Sequence, residues 1–186
     1  QERIGNAVEF RLNHLMGVLP SITEIGMAAL LPEATSGLSV AWENNRLVVK
    51  VQGQKVGSRR EREDWLKQHI GANGKVVDLD DLGRISVDDV QVLIVISREL
   101  DEFGTFASGL HPQGILEMVD RIAQGIRLVT EKGFRKVFVV ADHGFLFAPE
   151  ECEPFYVQAP SAMLTAKRRF IVGGQSEGCL VVRANE

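Results

Sequence analysis

Two apolar runs of strand length flank one long amphipathic stretch, and this order limits the fold more than any other feature of the chain. Gln91-Val92-Leu93-Ile94-Val95-Ile96-Ser97 is almost wholly apolar, as a strand covered on both faces must be. The run from Lys136 to Ala141 has the same texture and reads as a second buried strand. Between them, from Pro112 to Lys132, Ile115, Met118, Val119, Ile122, Ile126 and Val129 recur at helical spacing. Strand, long helix, strand is a βαβ crossover, which predicts parallel strands covered by helices. The expected class is α/β.

The remaining segments fit around that unit. Residues 2–17 carry Val8, Leu12, Leu15 and Met16 at helical spacing and predict a helix. Leu19-Pro20 ends it. Ser21 with Glu24 matches a capping box, so a short helix is expected to start there and to stop at Pro32. Residues 38–57 read as an antiparallel β-hairpin inserted beside the main sheet. Its strands are Leu38–Trp42 and Arg46–Val51, with turns at Glu43-Asn44-Asn45 and Gln52-Gly53. Residues 58–70 begin charged and become amphipathic around Trp65, Leu66 and Ile70, which predicts a helix. Val76-Val77 is a short strand candidate, and the acidic run Asp78-Leu79-Asp80-Asp81 reads as a solvated loop or helix start. Phe170-Ile171-Val172 and Cys179-Leu180-Val181-Val182 read as short strands or edge segments.

Composition excludes several function classes. The chain has 186 residues, 45% of them hydrophobic and 25% charged, which is ordinary for a folded globular domain. Residues 1–186 are expected to form one domain. Because they open on Gln1, they are expected to be a piece of a longer chain. The net charge of -4 argues against tight non-specific binding to a nucleic-acid backbone. Only two cysteines occur, Cys152 and Cys179, so no disulfide framework is expected and a reducing, cytoplasmic setting fits. No apolar run reaches membrane-spanning length, no signal-peptide pattern is seen, and no membrane partner is expected. The glycine fingerprints of dinucleotide and P-loop binders are missing.

The chemistry concentrates after the second strand. Asp142 and His143 leave its end side by side, and Gly144 allows a sharp turn behind them. A carboxylate and an imidazole suit a divalent cation, zinc before manganese, and sites in open α/β sheets gather at the carboxyl ends of strands. Asp101 follows the first strand in the same way. It reads equally as a second acid at that edge or as a plain post-strand residue. Thr23 falls in the first turn of its helix, where it reads either as a plain first-turn residue or as a hydroxyl that a metal would turn into a nucleophile toward phosphorus. His111 lies in the loop before the long helix, and Arg168-Arg169 reads either as a phosphate fork or as a solvated pair. His14 and His69 read as structural or surface residues.

Leu19-Pro20-Ser21-Ile22-Thr23-Glu24-Ile25-Gly26-Met27-Ala28-Ala29-Leu30-Leu31-Pro32 resembles the signature of the PglZ domain family. Asp101-Glu102-Phe103-Gly104 and the strand into Asp142-His143-Gly144-Phe145 follow in the family's order. The resemblance implies an alkaline-phosphatase-like α/β sandwich, with a largely parallel central sheet and helices on both faces. It also implies a two-metal phosphoesterase in which Thr23 is nucleophile and ligand. Asp142 and His143 would hold the metal next to Thr23, and Asp101 would hold the other. The implied substrate is a phosphate ester, by preference a nucleotide or nucleic-acid phosphodiester. The implied setting is BREX-type phage defence, with other defence-system proteins as partners. The chain departs from the superfamily's Asp-x-x-Gly-His pattern by placing Thr105 where histidine is expected, with His111 as a substitute. An acid before the first helix and a late His-Gly-Gly motif are also missing. Thr105 supports an alternative, a catalytically impaired scaffold within a defence complex, which takes the lead if the longer chain also lacks that acid and that motif.

Overall fold

The computed structural model describes residues 9–101, 112–144, 165–166 and 171–172, the last two pairs by backbone only. It is a mixed α/β structure with small parallel and antiparallel sheets. The chain forms two compact units, one within Gln1–Leu15 and Glu63–Val140, the other within Met16–Arg62 and Ala141–Glu186.

The second unit starts from helix α1, Thr23–Ala29. Ile22 is its N-cap, extended at φ -120° and ψ 153°, and its carbonyl accepts from Ile25 N at 3.1 Å and Gly26 N at 2.8 Å. This placement undoes the expected Ser21–Glu24 capping box. The reciprocal bonds require residues at N-cap and N3, whereas Ser21 precedes the cap and Glu24 is the second helical residue, so no side-chain cap bond forms. The helix tightens at its end, where Leu30 N reaches Met27 O and Leu31 N reaches Ala28 O. Glu33 then turns through φ 67° into the single turn α2, Ala34–Gly37.

The predicted hairpin is present. Strands β1 (Leu38–Glu43), β2 (Arg46–Val51) and β3 (Gln54–Lys55) form an antiparallel sheet in that order. Its tight turns have two central residues each, Asn44-Asn45 at φ 50° and 59° and Gln52-Gly53 at φ 49° and 79°. Positive φ at both positions matches the right-handed twist of the flanking strands, and asparagine and glycine tolerate it best. Alternation along β2 turns Val49 and Val51 inward. The core of this unit comprises Ile25 and Ala28 of α1, Leu31, Ala34, Val49, Val51 and Val56. Each fully buried large side chain among them contributes about 1.5–3 kcal/mol.

Helix α3, Arg59–His69, crosses the division between the units. A capping box opens it: Glu61 N donates to Ser58 Oγ at 3.3 Å, and Ser58 N donates to Glu61 Oε2 at 2.8 Å. In its last turn His69 stacks on Trp65 at 4.1 Å and donates from Nδ1 to the Trp65 carbonyl at 2.7 Å. This is the structural role expected of His69.

In the first unit, β4 (Gly74–Asp78) pairs in parallel with β5 (Val92–Ile96), in register Gly74↔Val92 through Asp78↔Ile96. The connection holds a 3-10 turn, Leu79–Asp81. Helix α4, Pro112–Glu131, is the expected long helix. Leu79 fills the notch left by Gly125, and Leu82, Ala123 and Val129 are buried. Arg121 pairs with Asp80 and, at 2.8 Å, with Glu99. A Schellman motif ends α4, with Gly133 at φ 97°, Gly133 N bonded to Thr130 O and Phe134 N to Val129 O.

Two expected elements do not form. Residues 136–141 carry no strand ladder, and Phe138 is 85% exposed. An apolar run becomes a strand only when a neighbour supplies hydrogen bonds. Among the described residues β5 pairs with β4 alone, so the parallel pair comes from Val76-Val77 instead. Residues 9–18 are not helical, and Met16 is 98% exposed. A short helix is marginal in water unless its apolar face is buried, and no such burial occurs at Leu12, Leu15 or Met16. Residues 2–8 of that expected helix and the segment 179–182 lie outside the described residues. Ile171–Val172 does form a strand, β7, antiparallel to β6 (Thr165–Ala166). No helix among the described residues is long and apolar enough to cross a membrane.

Replacing Ser58 with alanine is expected to cost about 1 kcal/mol of stability through loss of the α3 cap. The backbone bond from Ser58 holds the Glu61 carboxyl below its ordinary value. Its contribution is therefore complete above that ordinary value and is lost as pH falls through the lowered one. Urea midpoints of wild type and Glu61→Gln should differ at neutral pH and converge in acid. A difference that persists in acid would contradict this assignment.

Candidate functional site

Thr23 opens α1, and Gly26 follows one turn later on the same face. The main chain of Asp142 lies against that face. A Cβ added at Gly26 would come within 2.6 Å of the Asp142 carbonyl oxygen. This contact brings residues 142–143 to the start of α1. Thr23 Oγ1 is 3.2 Å from His143 Nε2. Asp142 Oδ2 is 3.4 Å from the same nitrogen. The His143 side chain is 3% exposed and that of Asp142 17%.

The sharing of one nitrogen is informative. In a hydroxyl–imidazole–carboxylate relay, the carboxylate holds the ring nitrogen opposite the hydroxyl. Here hydroxyl and carboxylate oxygens both face Nε2. With a lone pair on Nε2, the Asp142 oxygen meets negative density. A positive centre among the three atoms, whether a proton on Nε2 or a cation, removes that repulsion. The donor set is one imidazole nitrogen, one carboxylate and one hydroxyl. Three N/O donors with a vacant fourth position is the number used by catalytic zinc. The imidazole and the carboxylate are ordinary ligands of a divalent cation and the hydroxyl is a further oxygen donor, although no group of three His, Cys, Asp or Glu side chains poised for a metal occurs among the described residues.

Arg62 adds a charge that sequence reading missed. Its Nη1 donates to Gly57 O at 2.5 Å and to Val56 O at 3.4 Å. Burial lowers the guanidinium's proton affinity, while Glu24 and then Asp142 oppose that shift. Within the run Arg59-Arg60-Glu61-Arg62-Glu63-Asp64 nothing marks it by type. The available signal was its phase. Arg62 precedes Trp65 and Leu66 by three and four residues and so shares their buried stripe.

The other predicted residues fall elsewhere. Asp101 is half-buried just after β5, in the first unit, near the Glu99 that pairs with Arg121. The second Glu99 oxygen is buried without a hydrogen bond among the described residues. His111, Arg168 and Arg169 lie outside the described residues. His14 is exposed in the non-helical segment 9–18.

Comparison with known proteins gives the relationship. The profile of the BREX system PglZ alkaline phosphatase-like domain matches residues 4–180. The chain belongs to the PglZ family. It is 27% identical over 195 residues to the alkaline phosphatase-like protein BrxZ of Escherichia coli O9:H4 (strain HS), covering 94% of this chain and 22% of that protein. It is 27% identical over 175 residues to the alkaline phosphatase-like protein PglZ of Bacillus cereus (strain H3081.97), covering 87% of this chain and 20% of that one. The chain thus spans about a fifth of the length of the curated relatives it matches. No solved structure matches it significantly.

Removing the Arg62 guanidinium leaves the Gly57 and Val56 carbonyls without their donor. Arg62→Met, which keeps much of the aliphatic stem, is expected to cost about 2 kcal/mol. Equilibrium unfolding in urea measures it, and an unchanged midpoint would show that both bonds are dispensable.

Proposed function

We propose that this chain carries the reacting centre of a metal-dependent phosphoesterase, most specifically a phosphodiesterase acting on a nucleotide or nucleic-acid substrate in BREX-type defence. The observation that carries the reading is the convergence of Thr23 Oγ1 and Asp142 Oδ2 on His143 Nε2. Membership in an alkaline-phosphatase-like family supports it, since that superfamily generally uses divalent metals. The proposed architecture is the family's sandwich with a largely parallel sheet, of which β4 and β5 are a part. The proposed setting is the cytoplasm, alongside other defence-system proteins.

Thr23 Oγ1 is the nucleophile. It forms a bond to phosphorus while the bond from phosphorus to the leaving oxygen breaks, giving a threonyl ester, and its proton passes through solvent to the leaving oxygen. Water then cleaves that ester and returns the hydroxyl. Asp142, His143 and Thr23 are the ligand set for one divalent cation, zinc before manganese. Asp101 is assigned to a second cation, with His111 as a further candidate ligand. When bound, such cations would lower the proton affinity of the hydroxyl and offset charge on the phosphoryl oxygens. Without a cation the Thr23 hydroxyl lies within 3.2 Å of His143 Nε2, and the slight exposure of the His143 and Asp142 side chains limits competing water. Arg168 and Arg169 are assigned to phosphoryl oxygens, as a fork of guanidinium donors allows.

A second reading is favoured by Thr105, which stands where the superfamily pattern has histidine. On that reading the domain is a scaffold with an incomplete metal set.

Hydrolysis of an aryl phosphodiester by the full-length protein separates the two. Turnover should require added zinc or manganese, cease on chelation and return on metal addition. Thr23→Ala should lower kcat at least about 1,000-fold, as loss of a covalent nucleophile does. Turnover that survives Thr23→Ala would remove Thr23 from this role. Absence of turnover across diester substrates, with zinc shown to bind, would favour the scaffold.

A further inference from the structure

We infer that Gly26 is a positioning residue for Thr23 and His143, acting as a main-chain spacer that sets the distance between α1 and the 142–143 segment. The inference rests on the reading of Thr23 and His143 as the working pair. A Cβ at Gly26 would meet the Asp142 carbonyl oxygen at 2.6 Å, Asp142 Cβ at 3.0 Å and the carbonyl carbon at 3.1 Å. Other described glycines with close neighbours, Gly37, Gly74 and Gly125, meet side chains, which can rotate away. Among the described glycines, only at Gly26 do the three nearest neighbours of an added Cβ include main-chain atoms.

Helix formation does not explain a glycine at this position. Gly26 is interior to α1 with no positive φ, so alanine would suit the helix better. The glycine instead permits an approach that no side chain allows. The consequence for Thr23 follows from magnitudes. A methyl at residue 26 needs about 0.8 Å more room to reach ordinary contact at 3.4 Å. The Thr23–His143 contact, at 3.2 Å, has only a few tenths of an ångström before it ceases to be a hydrogen bond. Thr23 and Gly26 lie one turn apart on one helix face. Opening the space at residue 26 therefore separates Thr23 from His143, whichever side moves.

The test reads the His143 ring in metal-free, full-length protein with isotope-labelled histidine. Thr23→Val, which removes the hydroxyl, sets the reference change in the ring nitrogen shifts. Gly26→Ala should reproduce most of that change, and the double variant should add nothing further, because both act on one contact. Gly17→Ala, with no atom within 4 Å of the added Cβ, should leave the ring unchanged. Zinc affinity should fall to a similar extent in Gly26→Ala and Thr23→Val, and no further in the double variant. A His143 ring unaltered by Gly26→Ala, or changes that sum in the double variant, would overturn the assignment. If Gly26→Ala does not fold, a nuclear Overhauser effect between Gly26 Hα and Asp142 Hβ in the wild type decides, and its absence would refute the contact. Lack of phosphoesterase turnover would defeat the function proposed above and leave this test standing, since neither ring shifts nor the Overhauser effect require substrate.

Discussion

The contact between Thr23 and His143 joins residues 120 positions apart in sequence, and the rest of the site depends on it. Its weak point is α1, a helix of seven residues, too short to persist alone in water. What holds it is burial of Ile25 and Ala28 in a core shared with Val49 and Val51 of the hairpin. Those two valines face inward only while the strand register is kept, and the register is pinned by two tight turns with positive φ at both central residues. The antiparallel sheet is therefore a foundation of the site. Shifting the register by one residue would turn Val49 and Val51 outward and release the helix that presents Thr23.

Local chemistry made much of this legible in the sequence. Asparagine pairs and glycine mark turns wherever they stand, so the hairpin could be read residue by residue. The long stripe of α4 and the apolar run of β5 were equally plain. Signals that depend on context were not. The Ser-x-x-Glu spacing occurs at Ser21–Glu24 and at Ser58–Glu61, but only the second makes a cap. The difference is where each helix begins, and tertiary packing fixes that. The 136–141 run and the stripe of residues 9–16 have the pattern of buried elements, without neighbours among the described residues that complete them. In the site, residue type pointed to Thr23, Asp142 and His143. Their meeting was implied only by the family resemblance, and nothing marked Arg62 or Gly26 by type. One looked like any arginine in a charged run, and the other matters only through a backbone that passes close by in space.

The electrostatics follow from the same geometry. The carboxylates of Glu24 and Asp142 act on a partly buried Arg62, whose guanidinium is tied to the turn carbonyls of Val56 and Gly57. At reduced dielectric such charges act more strongly on one another than they would in water. On the proposed reading, a phosphate ester at Thr23 shares the site with the Asp142 carboxylate, which repels it. Its approach becomes favourable only with a positive centre beside His143 Nε2, where two oxygens already converge. The same arrangement accounts for the choice of hydroxyl. Of the two oxygens, that of Thr23 is the hydroxyl, the one with a proton to lose on becoming a nucleophile.

A site of this kind needs tolerances of about half an ångström, and contacts between side chains rarely provide them because rotamers adjust. Contact between main chains does not adjust in that way. At Gly26 the helix and the segment bearing Asp142 meet with no side chain between them. The spacing there is governed by atoms that cannot rotate out of the way. Hairpin packing decides whether α1 is present, and the Gly26 contact decides how near Thr23 stands to His143. These constraints act at different levels. Loosening the core would blur the position of Thr23, whereas filling the space at Gly26 would move it to a new and equally well-defined place.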